Sequence, residues 1–160
     1  MKILGIDPGY ERCGVAIIEK IQGGKETILF SDCIRTNPKD SFPARLATLA
    51  AHLEKIILEF KPETSAIEEL YFAKNTKTAM KVAEARGVIQ YILEKNNIPC
   101  TEYHPNAIKI AITGYGGAKK EDIAFMIPKL VIYDGSKKLD DELDAIAVAI
   151  THGAQVKFST

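Results

Sequence analysis

Four acidic side chains stand where the sequence pattern ends a strand or starts a helix: Asp7, Glu68, Asp141 and Asp144. Asp7 closes a short apolar run, residues 2–6, and is followed by Pro8-Gly9, a turn signal. Glu68 closes the short run Ser65-Ala66-Ile67. Asp141 and Asp144 fall near the start of an Ala-rich helix. At about 100° per residue, a spacing of three leaves them about 60° apart on one face. Carboxylates that converge without cations repel, raise one another's pKa and destabilise the empty site. Hard divalent ions remove that penalty, and an all-oxygen donor set selects Mg²⁺ or Mn²⁺ over zinc. Two such ions about 3.5–4 Å apart suit in-line displacement at phosphorus, and four carboxylates balance their charge. Each acid alone also has an ordinary use, as a turn residue or as a favourable charge at a helix start. Only their conjunction carries the metal reading.

The elements that must position these acids can be read from periodicity. Residues 2–6, 13–19 and 27–36 form three strands joined by tight turns, with Gly23-Gly24 in the second connection, and predict an antiparallel meander. Ser41 caps a helix with Pro43 in its first turn. Leu46, Leu49, Leu53, Ile56, Ile57 and Phe60 give it one buried stripe, and Lys61-Pro62 ends it. Ser65-Ala66-Ile67 is a fourth strand, residues 76–95 a second helix and residues 98–103 a fifth strand. His104-Pro105 opens a shorter helix, Gly114, Gly116 and Gly117 break the chain, and helices follow from Lys119 and over 140–154. The alternation predicts an α/β layered domain, a five-stranded mixed sheet with helices on both faces. No linker composition interrupts it, so residues 1–160 are expected to form one domain.

Composition excludes several classes. The 160 residues are 46% apolar and 26% charged, which is globular rather than disordered usage. Lys plus Arg equals Asp plus Glu at 21 each, so net charge alone cannot grip nucleic acid, although local patches can. No apolar run approaches the roughly 20 residues of a membrane span. Asp7 arrives too early for a signal peptide's apolar segment. Cys13, Cys33 and Cys100 lack paired spacing and read as reduced thiols of a cytoplasmic chain, with no disulfide framework and no zinc site.

Residues 71–86 hold Lys74, Lys77, Lys81 and Arg86 against Glu84, a local excess of +3 beside the aromatic pair Tyr71-Phe72. Such a patch gives salt-dependent phosphate contacts, and exposed rings give unstacked bases a platform. Lysines along a helix are equally the pattern of a solvated face. Ala79, Ala83 and Gly87 form a small-residue stripe whose spacing alone suits packing on the domain's own sheet. His152 reads as a cation at a helix C-terminus. Gly114-Tyr115-Gly116-Gly117 lacks Walker spacing and reads as a flexible loop before Lys119 and Lys120.

Taken in order, these segments resemble the RuvC family of Holliday junction resolvases, within the RNase H-like superfamily. The resemblance rests on Ile3-Leu4-Gly5-Ile6-Asp7-Pro8-Gly9, on Ala66-Ile67-Glu68-Glu69 with Phe72-Ala73-Lys74-Asn75, on Ala85-Arg86-Gly87, and on the run from Asp141-Glu142-Leu143-Asp144 to Thr151-His152. It implies an RNase H-like three-layer fold and an endonuclease that resolves four-way DNA junctions by paired symmetric nicks. It also implies a homodimer, two Mg²⁺ ions replaceable by Mn²⁺, and a branch-migration helicase partner of the RuvA and RuvB type. By position it assigns metal binding to Asp7, Glu68, Asp141 and Asp144, with family lysines falling on Lys109 and Lys120. The base-stacking residue falls on Tyr71, beside Phe72, and the resemblance tilts the small-residue stripe toward a dimer contact. The DNA-binding set so expected is Tyr71, Phe72, Lys74, Asn75, Lys77, Lys81, Arg86, Lys109, Lys119 and Lys120. Three other readings stay open: a YqgF-type nuclease acting on RNA, a non-catalytic junction-binding dimer, and a phosphate-binding ATPase, which would need a second facing domain.

Overall fold

The computed structural model describes residues 1–70, 76–134, 136 and 138–158, the side chains of residues 76 and 77 excepted. Its strands are β1 (Lys2–Asp7), β2 (Arg12–Glu19), β3 (Thr27–Arg35), β4 (Thr64–Glu68) and β5 (Cys100–Tyr103). Its helices are α1 (Phe42–Phe60), α2 (Thr76–Lys95), α3 (Pro105–Thr113), α4 (Lys120–Leu130) and α5 (Asp140–Gln155). The sheet order is β3-β2-β1-β4-β5. The meander β1–β2–β3 is antiparallel, while β4 and β5 continue it in parallel with β1. The mixed five-stranded sheet expected from the sequence is therefore present.

Local chemistry accounts for most boundaries. Ser41 caps α1 by accepting from the Ala44 N–H at 3.4 Å, and Lys61, in the left-handed region at φ 51°, closes it. The fifth strand starts two residues later than its apolar pattern begins. Ile98 donates instead to the Leu93 carbonyl, completing the turn that ends α2.

The alternation of side chains along each strand splits the core in two. Leu4, Ile6, Val15, Ile17 and Ile67 pack under α1 and α2. Ile3, Ala16, Ile18 and Ala66 pack under α3, α4 and α5. Asp7 lies two and four residues beyond Gly5 and Ile3, and Glu68 two beyond Ala66. Both acids therefore point to the α5 side, at the ends of neighbouring strands paired at Ile6 and Ile67.

His152 is a correction to the sequence reading. It is buried 5% exposed, with Nε2 2.9 Å from Thr64 Oγ1 and Nδ1 3.0 Å from the Tyr103 hydroxyl. Burial, with Lys20 nearby, holds its pKa below the ordinary 6.5, so it is a neutral hydrogen-bonding hub rather than a helix-end cation. Between that depressed value and 6.5 the unfolded chain binds the extra proton. Stability is thus fully present above pH 6.5 and falls as pH drops below it. Thermal unfolding between pH 7.5 and 5 should show this acid loss in the parent protein. The His152→Asn variant, less stable at neutral pH, should show a flatter acid limb; an equally steep limb would contradict the assignment.

Candidate active site

The cleft at the carboxyl ends of β1 and β4 encloses about 250 Å³ and is lined by Asp7, Glu68, Lys109, Lys120 and Asp144. Strand ends deliver the first two, α3 brings Lys109, the first residue of α4 is Lys120, and the second turn of α5 brings Asp144. The helix can approach because β1 and β2 carry glycine beneath it. A Cβ on Gly5 would lie 2.2 Å from the Ala145 carbonyl oxygen, and one on Gly14 would lie 1.9 Å from that of Asp141.

Crowding of acids sets the electrostatics. Burial, then the charges of Glu68, Asp144 and Asp141, push Asp7 up to about 8, only partly offset by Lys120. Glu68 is raised by burial and by Asp144, while a hydrogen bond with Asp7 and the two lysines pull it back. Lys120 Nζ donates to Asp144 Oδ2 at 2.6 Å, which raises its own pKa. Lys120 is therefore held by an acid of the site rather than carried on a free loop.

Asp141 stands apart. It is absent from the cleft lining, and its Oδ2 pairs with the Arg12 guanidinium and accepts from the Cys33 thiol at 3.5 Å. Among the described residues no three His, Cys, Asp or Glu side chains are arranged to hold an ion as they stand. The donor chemistry nonetheless fits a hard divalent cation: oxygen ligands only, clustered, with Asp7 pushed up to about 8 by burial and then by the neighbouring acids. Lys120 pairs with Asp144, and Arg12 with Asp141.

Three residues of the site went unread in the sequence. Arg12 and Cys33 reach Asp141 from β2 and β3, across 129 and 108 residues. Glu142 stands in the first turn of α5 and is buried. Its Oε2 accepts from the Leu139 N–H at 2.9 Å and its Oε1 from Ser31 Oγ at 2.8 Å, pinning the first turn of α5 to β3. An acid followed by a helical pattern signals the cap, but nothing local signals Ser31.

The expected DNA contacts divide. Tyr71, Phe72, Lys74 and Asn75, and the side chain of Lys77, lie outside the described residues. Lys119 is exposed beside the cleft's Lys120. Lys81 is exposed, its Nζ 5.4 Å from the Tyr10 ring centre. The Arg86 guanidinium lies 2.5 Å from Glu102 on β5, with its side chain only 16% exposed, so a phosphate would have to compete with that ion pair. For the small-residue stripe, only the reading from spacing alone, packing on the domain's own sheet, is corrected. Ala83 and Gly87 face outward between Met80 and Tyr91, each 67% exposed, while Ala85, Ile89 and Ile92 take the sheet-facing side.

A mixed α/β sheet with clustered acids and two lysines in a cleft at its strand ends defines the class: a domain built to handle phosphate esters at a carboxylate centre. Comparison with known proteins narrows it. The family profile described as crossover junction endodeoxyribonuclease RuvC matches residues 3–152. A protein of that name from Petrotoga mobilis is 45% identical over 153 residues, covering 96% of this chain and 93% of its own. One from Brachyspira hyodysenteriae is 44% identical over 97% of this chain and 95% of its own. The solved structure of T. thermophilus RuvC in complex with Holliday junction substrate superposes with a TM-score of 0.88 at 28% identity, covering 95% of this chain and 92% of that one. The chain belongs to the RuvC family.

Proposed function

We propose that this protein is a crossover junction endodeoxyribonuclease that resolves Holliday junctions by paired symmetric nicks, giving 5′-phosphate products. The observation that carries the reading is the cleft in which Asp7, Glu68 and Asp144 meet Lys109 and Lys120. Its support in kind is the family membership and the likeness to a relative solved with a Holliday junction. Asp7, Glu68, Asp144 and Asp141 would hold two divalent ions, Mg²⁺ or in its place Mn²⁺. When bound, such ions supply activation of water for attack at phosphorus and neutralisation of charge on the leaving 3′ oxygen. The chain's own part is positioning. β1 and β4 fix two carboxylates side by side, and α5 brings Asp144 over them on a glycine floor. Lys120, once released from Asp144, and Lys109 offer positive charge to the phosphate oxygens, whose charge grows in the transition state. Lys119 and Lys81, with Tyr71, Phe72, Lys74, Asn75 and Lys77 from the segment between β4 and α2, are proposed to grip the junction arms.

A four-way junction with each strand labelled in turn, incubated with the protein and Mg²⁺, should show nicks at matching positions in two opposed strands. A linear duplex of the same sequence and a folded RNA of equal size should stay intact. Comparable cutting of the RNA would sink the DNA assignment.

Paired nicking requires two copies, and the proposed contact is the outward face of α2. Among the described residues a Cβ at Gly87 meets nothing within 4 Å, so Gly87→Glu disturbs the fold little while placing a charge in that face. Sedimentation should then show a shift from dimer to monomer, with the paired nicks lost; an unaltered dimer would place the contact elsewhere. A branch-migration helicase of the RuvA and RuvB type as partner, a cytoplasmic location and one RNase H-like nuclease domain over residues 1–160 complete the proposal. Among the described residues no helix is long and apolar enough to cross a membrane.

A further inference from the structure

Asp141 is the one acid of the four that is held away from the cleft, and it is held by two groups from the sheet. Arg12, the first residue of β2, pairs with its Oδ2, and Cys33 donates its thiol to the same oxygen. The backbone brings these groups together. Gly14 lets the first turn of α5 rest on β2, and β3 is in register there, with Cys33 opposite Gly14. The turn before Arg12 is close as well: a Cβ on Gly9 would lie 1.9 Å from the Arg12 carbonyl oxygen. The Arg12 side chain is 48% exposed and Asp141 21%, so the pair sits at the rim, where the guanidinium can leave into solvent. Asp144 is held by Lys120 in the parallel way, but it lines the cleft while so held.

We propose that Arg12 is a positioning residue that competes with a divalent cation for Asp141, keeping the fourth carboxylate out of the cluster until an ion displaces the guanidinium. The inference rests on the metal reading of the site. A guanidinium and a divalent cation cannot both sit against one carboxylate without strong like-charge repulsion, so each weakens the other's hold. An arginine is always charged, so the competition acts across the whole working pH range. Its loss also leaves Asp141 as one more uncompensated negative charge beside Asp7, which favours ion entry further.

Calorimetric titration of Mn²⁺ into the metal-stripped, DNA-free full chain tests this. Arg12→Gln should bind Mn²⁺ about three- to tenfold tighter than the parent protein, a modest gain because the pair is half exposed. Arg12→Lys, which keeps the charge, should stay near the parent value. In an Asp141→Asn background, adding Arg12→Gln should change nothing, because the competition runs through that carboxylate. Parent-like affinity in Arg12→Gln, or tightening that persists without Asp141, would overturn the inference. Parent protein that binds no Mn²⁺, or binds it equally well after Asp7→Asn, would instead overturn the metal reading beneath it.

Discussion

Replacing Asp7 by asparagine is expected to slow junction cleavage by about a thousandfold or more, roughly 4 kcal/mol of barrier, while junction binding stays within about threefold. The swap keeps the shape of the side chain and removes one charge from the centre of the cluster, where Glu68, Asp144 and Asp141 all act on it. Cleavage of a labelled four-way junction in Mg²⁺, beside fluorescence anisotropy of the same junction without Mg²⁺, separates the two effects. An Asn variant that still cuts would remove Asp7 from the chemistry. The same substitution carries an opposite expectation for stability. Burial and neighbouring acids push Asp7 from 3.8 to about 8, so between those pH values the folded chain keeps a proton that the unfolded chain has released. Stability then falls as pH rises through that window, and the penalty is complete above pH 8. In EDTA the Asn variant should be more stable than the parent at pH 8, by about 2–4 kcal/mol once solvent screening is allowed for, with the advantage vanishing toward pH 4. Thermal unfolding at the two pH values reads it directly. Equal stability at pH 8 would mean that the acids do not strain one another.

Much of this site was legible because strands alternate. Ile3, Gly5 and Asp7 share parity, as do Ala66 and Glu68, so once both runs are strands each acid shares a face with its small or apolar predecessors. What the sequence could not supply is register. Only the pairing of Ile6 with Ile67 puts the two acids abreast, and that is a contact between segments some sixty residues apart. Arg12 and Cys33 were illegible for the same reason: nothing near residue 12 or 33 announces an acid more than a hundred residues downstream. The orientation of α2 was illegible from spacing for a different reason. The stripe of Ala83 and Gly87 lies about 200° round the helix from that of Ala85 and Ile89, and spacing alone does not say which of the two is buried. The energetics of burial do, because isoleucine gains far more than glycine from leaving water. Arg86, next to the buried Ala85, is thereby brought to Glu102 on β5.

Gly5 looks like no more than a small residue in an apolar strand, yet the geometry makes it the position where one methyl group should do most harm. An added Cβ there would meet the Ala145 carbonyl oxygen at 2.2 Å, the Ala149 nitrogen at 2.6 Å and the Ala149 Cβ at 2.7 Å. Two of these are backbone atoms, so no rotamer change relieves the clash and α5 must lift from β1. Overpacking of a tight core costs about 1–3 kcal/mol even when side chains can yield. With backbone in the way, Gly5→Ala should lose at least about 3 kcal/mol, on the order of 10 °C in Tm. The functional loss should exceed the stability loss. Asp7 and Glu68 ride on the sheet whereas Asp141 and Asp144 ride on α5, so lifting the helix separates the two halves of the site. A displacement of about 1 Å between reacting groups is enough for a hundredfold loss of rate. Cleavage by Gly5→Ala should therefore be about a hundredfold or more below the parent even at temperatures where circular dichroism shows it fully folded. Gly116→Ala, whose new Cβ would find among the described residues only the Ile110 side chain at 3.5 Å, is the matched control and should change neither measurement appreciably. A Gly5→Ala protein that melted and cut like the parent would mean that α5 does not rest on β1 at Gly5, and that the four acids are brought together by some other seating of the helix.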